Sequence, residues 1–184
     1  NLAQTAEFRA NGTINTDTNV KTLSGATTSK GIEIDIQAKP TEGLSMMAGY
    51  SYNDMRYTKT TGAVGSFIVG DRLVRTPAQT ANFSFFYTLP FGKLKGLALG
   101  SMMNYTGKRL GGYNNTNGQT IPDRTIPLNG YTTIDVSAGY TWKKWNLLCK
   151  LSNITNELNY TVHENYSVNP IAPRQILTSI KYKF

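Results

Sequence analysis

The chain has 184 residues, a formal charge of +8, 39% apolar residues and one cysteine. These values fit one domain and exclude an internal disulfide, and the chain has no run of 18 apolar residues that could form a transmembrane helix. The positive charge does not indicate nucleic-acid binding, because the cations are scattered over turns and strand ends without a dense basic run or a recognised motif.

The first 30 residues are polar and rich in Thr, Asn and Gly, without sustained alternation. We predict that they are mostly loop, with a turn at Asn11 and Gly12 and at most a weak strand within residues 1–10. The sequence starts at Asn1 with neither an initiator methionine nor a signal peptide. We therefore expect the chain to be processed or to be part of a longer protein.

The clearest strand pattern covers residues 31–38. Its two faces separate completely: one carries Ile32, Ile34 and Ile36, and the other carries Glu33, Asp35 and Gln37. Side chains alternate across a strand, so a shift of one residue would turn two carboxylates towards the apolar side. The alternation therefore predicts a strand with one apolar face and one hydrated face.

Six further strands follow, and the connections between them alternate in length. The strands are predicted at 44–53, 81–89, 97–105, 133–142, 147–152 and 174–184. Short connections lie at 40–43, 90–96 and 143–144, and long ones at 58–75, 107–129 and 162–173. Short turns on one side and long loops on the other are typical of bacterial outer-membrane barrels. A soluble β-sandwich also has alternating strands, but it does not predict two classes of connection.

The last strand places Ile180, Tyr182 and Phe184 on one face. This ending resembles the C-terminal assembly signal of bacterial outer-membrane barrel proteins. We therefore predict an all-β, transmembrane, antiparallel up-and-down barrel. Seven strands are clear over residues 31–184, whereas single-chain bacterial barrels have an even number with a minimum of eight. Either residues 1–10 add an eighth strand to an autonomous small barrel with a structural or adhesive role, or the chain is the end of a larger barrel.

Several short elements resemble those of the TonB-dependent outer-membrane receptors, in the family's order. They lie at residues 29–33, 76–77, 128–131, 151–160 and 173–174, and the fourth reads Leu-Ser-Asn-Ile-Thr-Asn-Glu-Leu-Asn-Tyr. That element departs from the family pattern at Ile154, where Leu is usual, and at Asn156, where Asp is common. The details are most similar to the ferric-siderophore branch, with a ferrichrome-like or other hydroxamate receptor as the nearest match.

The resemblance implies a 22-stranded barrel with a plugged lumen. Residues 1–184 would then be the C-terminal part of one barrel domain, its last seven or eight strands, with the plug domain outside this sequence. It further implies import of a ferric siderophore, no cofactor, and energy delivered by TonB to a missing N-terminal region. The expected partners are outer-membrane lipid, lipopolysaccharide and the barrel-assembly machinery, which would read Ile180, Tyr182 and Phe184.

Ligand contacts are predicted in the long connections, at Tyr113, Asn114, Asn115 and Tyr166. Aromatic and amide side chains can hold an amphiphilic chelate at the mouth of a barrel, although ordinary interfacial residues are the alternative interpretation.

No pattern predicts catalysis or a metal centre. His163 is the single histidine and lies in a polar connection, where one His and one Glu make a poor metal site. Glu33 and Asp35 fall on the hydrated face of one predicted strand and Asp135 on that of another, and we interpret them as plug-contacting or solvated residues. Cys149 falls on the apolar face and is interpreted as a small hydrophobic residue.

Overall fold

A computed structural model describes residues 2–6, 21–60, 68–113, 125–163 and 167–184, and these residues form twelve β-strands. The strands are β1 Leu2–Ala6, β2 Lys21–Thr41, β3 Leu44–Lys59, β4 Gln79–Thr88, β5 Leu97–Thr106, β6 Arg109–Tyr113, β7 Thr125–Leu128, β8 Tyr131–Trp142, β9 Trp145–Ser152, β10 Tyr160–His163, β11 Ser167–Pro170 and β12 Gln175–Tyr182. None of the described residues belongs to a helix long and apolar enough to cross a membrane.

Eight of the strands form one antiparallel sheet in the order β1-β2-β3-β4-β5-β8-β9-β12. It contains the seven predicted strands and adds β1. An autonomous eight-strand barrel would need β1 to pair with β12, yet among the described strands these two stand at opposite ends of the order. The sheet formed by the described strands thus has β1 at one edge and β12 at the other. A segment of a wider barrel has two such edges, and each edge pairs with a neighbouring strand of that barrel.

The strand register confirms that the predicted apolar stripes share one face. One row of directly opposed residues crosses seven strands: Ala38, Met46, Phe85, Ser101, Val136, Leu151 and Ile176. Directly opposed residues point to the same side of a sheet. In the main sheet, every strand from β2 to β12 therefore turns its alternating apolar side chains towards the same surface.

This apolar face is not covered by the rest of the chain. Ile32 is 65% exposed and Ile176 is 71% exposed, and only Tyr113 is buried among the apolar side chains of the described residues. A soluble sandwich would bury one face of each sheet against the other. The exposed face instead matches the lipid-facing surface of a membrane barrel.

The opposite face is polar, and its side chains come close together around Gly49 in β3. Asp35 lies opposite Gly49, which lies opposite Asn82. A Cβ added to Gly49 would come within 2.7 Å of the Asn82 amide and 2.8 Å of the Asp35 carboxylate. The glycine therefore makes room for its two polar neighbours.

The prediction that residues 1–30 are mostly loop is wrong for residues 21–30, which are strand, whereas the weak strand allowed within residues 1–10 is present as β1. The predicted turn at Asn11 and Gly12 lies outside the described residues. Strand β2 begins at Lys21, ten residues before the predicted start. Its early part pairs with both neighbours, as in Thr22 opposite Thr5 and Ser29 opposite Met55. The segment is polar on both sides, so it lacks the alternation that marks a strand facing lipid. Backbone pairing forms the strand without that pattern.

Two of the long connections also contain structure that was not predicted. Strands β6 and β7 form a hairpin within residues 107–129, and β10 and β11 form another within 162–173 with β10 starting slightly earlier. Strand β6 reads Arg-Leu-Gly-Gly-Tyr and has no alternating pattern. Pairing within each hairpin, rather than strand propensity, gives these segments their structure.

Candidate functional site

The candidate site lies where the long connections meet, and strand β6 is at its centre. The N–H of Arg75 donates to the carbonyl of Leu110 at 2.6 Å, and the Tyr113 hydroxyl donates to the carbonyl of Arg72 at 2.7 Å. Both bonds join β6 to the segment between β3 and β4. Strand β6, which is part of the second long connection, is thus hydrogen-bonded to the first long connection.

Arg109 joins β6 to the residues that immediately precede the third long connection. Its Nη2 donates to Oδ1 of Asn159 at 3.0 Å and to the carbonyl of Tyr160, while Nη1 donates to the carbonyl of Asn129 at 3.2 Å. The guanidinium also lies 5.2 Å from the ring centre of Tyr131. One side chain therefore joins β6, the start of β8 and the start of β10. We call this group of five residues the Arg109 junction.

Two members of the Arg109 junction are buried, and no carboxylate in the described part of the chain pairs with its arginine. Arg109 is 8% exposed and Asn159 is 8% exposed. Within the described residues the ion pairs involve Asp54 and Asp135, and neither includes Arg109. Neutral oxygens and an aromatic face thus satisfy the buried charge. The planar donor fork of arginine suits several acceptors at fixed positions, which a lysine cannot reproduce.

A second charged group stands beside the first long connection. The pairing of β3 with β4 ends at Tyr52, and Asp54 lies two residues further along β3. Asp54 is therefore outside the part of the sheet that carries the apolar face. Its Oδ2 accepts from Nε of Arg56 at 2.8 Å, and its Oδ1 lies 3.2 Å from Nη2 of Arg72. The hydrogen bond from Arg56 is the main cause that lowers the pKa of Asp54 below its ordinary value. The carboxylate therefore stays ionised and orients both arginines.

These contacts enclose a pocket of about 310 Å³ between residues 72–76 and the β6–β7 hairpin. Its lining combines basic, polar and apolar residues: Arg72, Leu73, Thr76, Lys108, Arg109, Leu110, Pro127, Leu128 and Asn129. Such a mixed surface suits an amphiphilic ligand that carries polar oxygens.

The structure places one of the four predicted ligand residues. Tyr113 is 6% exposed and its hydroxyl is bonded to Arg72, so it supports the connections from within rather than presenting a free ring. Asn114, Asn115 and Tyr166 lie outside the described residues, and their contact with a ligand stays a prediction. The backbone of His163 belongs to β10, and its side chain lies outside the described part.

The segment at 151–160 that resembles a family element is a turn built around Asn153. Asn153 is 4% exposed and has a φ of 48°. Its Nδ2 donates to the carbonyls of Glu157 at 3.0 Å and Ala172 at 2.9 Å, and its Oδ1 accepts from the N–H of Glu157 at 2.8 Å. The amide of Asn153, donor and acceptor together, closes this turn.

Asn156 explains one departure from the family pattern. Its φ is 53°, and its Oδ1 accepts from the N–H of Arg174 at 3.0 Å. An aspartate could accept the same bond, and Asn and Asp are the residues that tolerate this backbone region best. The turn and the start of β12 are thus joined whichever of the two residues is present.

The acidic residues of the polar face are dispersed. Lys150 Nζ lies 2.7 Å from Oδ2 of Asp135, whose Oδ1 accepts from the N–H of Asn153 at 2.9 Å. Asp35 belongs to β2, with β3, β4 and β5 between it and Asp135 in the sheet. Asp135 is therefore separated from the β2 carboxylates Glu33 and Asp35, which line one pocket of the polar face. Cys149 is exposed and shares the apolar face with Ala138, as predicted.

Comparison with known proteins gives the family. Residues 2–156 match the sequence model described as TonB dependent receptor-like, beta-barrel. The ferrioxamine B receptor of Salmonella typhimurium is 29% identical over 116 residues, which cover 63% of this chain and 15% of that protein. The ferrichrome outer membrane transporter/phage receptor of Escherichia coli is 23% identical over 168 residues, 87% of this chain and 20% of that protein.

A solved structure agrees in fold. The siderophore receptor PiuA from Acinetobacter baumannii covers all of this chain with a TM-score of 0.73 and 18% identity, and the match spans 24% of that protein. The chain therefore spans between 15% and 24% of these proteins. It is located in the bacterial outer membrane, and it belongs to the TonB dependent receptor-like β-barrel family.

Proposed function

We propose that the protein containing this chain is a TonB-dependent transporter that imports a ferric siderophore. The chain would contribute part of the barrel wall and three external connections. The family match over residues 2–156 is the observation that carries this proposal. The receptor and transporter names of the relatives support it, and they agree with a protein that moves its ligand without catalysis.

The proposed ligand class is a ferric hydroxamate. A ferrioxamine and a ferrichrome protein are among the relatives. The pocket beside Arg72 and Lys108 supports a ligand with polar oxygens around an apolar body. Tyr113 would act on the ligand by holding the connections in place, whereas Asn114, Asn115 and Tyr166 would contact it directly.

The other partners of the proposed protein act on different parts of the chain. The barrel-assembly machinery would read the last strand at Ile180, Tyr182 and Phe184, all exposed on its apolar side or beyond its end. TonB would act through a region outside this sequence. Lipid and lipopolysaccharide would meet the apolar face.

Iron uptake by whole cells tests the proposal. The complete receptor is expressed in cells that lack their own hydroxamate receptors, and accumulation of radioactive iron is measured with ferrichrome and with ferrioxamine B. We expect uptake of at least one chelate that disappears when TonB is inactivated. No TonB-dependent uptake of either chelate, by a receptor present in the outer membrane, would contradict the proposed ligand class.

Two variants test the role of the connections. Replacing Tyr113 and Tyr166 together by Ala should weaken chelate binding to the complete receptor by about tenfold or more, since both a support and a contact are lost. Tyr113→Phe keeps the buried ring and removes only the hydroxyl that donates to Arg72, so it measures the share of the loss that is due to this bond. Unchanged affinity of the double variant in a correctly inserted barrel would refute these roles.

A further inference from the structure

The inference concerns a group of aromatic and basic residues at the short-turn end of β8, β9 and β12. The group comprises Trp142, Lys143, Lys144, Trp145, Tyr182, Lys183 and Phe184, and we call it the lysine–aromatic patch. The N–H of Lys183 donates to the carbonyl of Lys144 at 2.8 Å, which joins the turn to the last strand. The ring centres of Trp145 and Tyr182 are 4.8 Å apart, and those of Tyr182 and Phe184 are 5.2 Å apart. The residues thus form one continuous surface.

The lysines of this patch are placed over its rings. Lys143 Nζ lies 5.0 Å from the ring centre of Trp142, and Lys144 Nζ lies 6.0 Å from that of Tyr182. The ion pairs within the described residues do not include either lysine. Trp142 is 55% exposed and Trp145 is 42% exposed. Two cations without a carboxylate therefore stand over exposed aromatic rings at the edge of the apolar face.

The backbone at Lys143 is strained for a residue with a side chain. Lys143 has a φ of 53° in a two-residue turn that follows the last cross-strand pair, Trp142 opposite Trp145. Glycine and asparagine are the residues that normally occupy positive φ in such hairpin turns. A lysine there is unfavourable because its Cβ lies close to the following carbonyl oxygen. Retaining a strained residue where a glycine would be easier is a reason to look for a function of its side chain.

The apolar surface beneath the patch is continuous with the lipid face. Tyr140 lies opposite Leu147, which lies opposite Ile180, and the next row towards the turn holds Trp142, Trp145 and Tyr182. Aromatic rings at such a boundary lie at the level of lipid head groups, and lysines near it attract anionic lipids. Acyl chains would pack on Leu147 and Ile180 while a phosphate met the ammonium groups.

We propose that the lysine–aromatic patch binds the phosphate of an anionic glycerophospholipid in the leaflet on the short-turn side. Lys143 and Lys144 supply the charge, and the rings of Trp142, Trp145 and Tyr182 supply the surface for the glycerol backbone and upper acyl chains. This inference depends on the outer-membrane location and not on the transported ligand. It gives the site a preference for anionic over zwitterionic lipid.

The test measures which lipids remain on the complete receptor. The receptor is reconstituted in nanodiscs of equal parts phosphatidylglycerol and phosphatidylcholine, and the retained lipids are counted by native mass spectrometry. The test variant is Lys143→Gly with Lys144→Gln. One lysine near an anionic surface contributes about 1 kcal/mol, or roughly fivefold. We therefore expect the preference for phosphatidylglycerol to fall by at least about fivefold.

A matched control and a folding measurement make the result decisive. Lys93→Gln with Lys95→Gln removes the same charge from another short turn, between β4 and β5, and should leave the preference within about twofold of the wild type. Lys143→Gly relieves the backbone strain, so heat modifiability on gels should show a test variant at least as stable as the wild type. An unchanged preference in the test variant, or an equal fall in the control, would overturn the proposal.

Discussion

Truncation of Arg109 should open the long-connection end without unfolding the sheet. Arg109→Ala removes the donors to Asn129, Asn159 and Tyr160 and the contact with the Tyr131 ring. A hydrogen bond to a charged group contributes about 1.5–3 kcal/mol, although water can replace part of each bond once the site opens. We expect a local loss of about 3 kcal/mol, which corresponds to a hundredfold or so in the opening equilibrium.

Hydrogen exchange of the complete receptor measures this opening. The reporter amides are those of Arg75, bonded to Leu110, and Ile171, bonded to Asn159. Both should exchange roughly a hundredfold faster in Arg109→Ala, by the free-energy change derived above. The amide of Thr88, bonded to Gly43 at the short-turn end, should be unaffected.

Two further variants separate geometry from charge. Arg109→Lys keeps the positive charge but loses the planar fork, so it should recover about half of the lost protection. Lys108→Ala removes a charge from an exposed neighbour and should leave both reporter amides as in the wild type. Unchanged exchange of Arg75 and Ile171 in Arg109→Ala would refute the role assigned to the junction.

Three other perturbations follow from single contacts. Asn153→Ala removes a buried hub of the turn and its tolerance of positive φ, so the unfolding free energy of the barrel should fall by about 2–4 kcal/mol in denaturant titrations. Gly49→Val should displace the Asp35 side chain and slow folding into lipid vesicles, because a Cβ at this position meets neighbouring atoms less than 3 Å away. Gly49→Ala adds the same Cβ but a smaller side chain, so its effect should be weaker. The pKa of Asp54 is lowered in the folded protein. The pair of Asp54 with Arg56 therefore stabilises the first connection when the pH is above the ordinary aspartate pKa. This stabilisation is lost as the pH falls below that pKa and through the lowered value of the folded protein. Asp54→Asn should abolish that acid-dependent change in hydrogen exchange.

The alternation of residue types was enough to predict the main sheet. Isoleucine and aromatic stripes fixed which side of each strand is apolar, and the register confirmed it across the row from Ala38 to Ile176. A period of two is a strong signal because any shift of register exchanges the faces. The same signal missed residues 21–30, whose mostly polar sequence does not alternate between apolar and polar residues.

The candidate site was much less predictable. Arg109 donates to the backbone carbonyls of Asn129 and Tyr160. Every residue has a backbone carbonyl, so the amino-acid sequence does not show which residues accept these bonds. Its amide partner Asn159 is 50 residues away along the chain. Only the family-like element at 151–160 hinted at this region, and there the signal was the pair of asparagines that form the turn. Tyr113 was recognised as important, but its buried position depends on a contact with Arg72 that no local pattern reveals.

The central claim, that this chain is a stretch of outer-membrane barrel wall with one lipid-facing side, is tested by scanning β2 with spin labels. Single cysteines replace residues 32 to 37 in turn in the complete receptor, with Cys149→Ser as the background, and collision rates with oxygen are measured in lipid vesicles. We predict high oxygen accessibility at Ile32, Ile34 and Ile36 and low accessibility at Glu33, Asp35 and Gln37. Accessibility without a period of two would contradict the account.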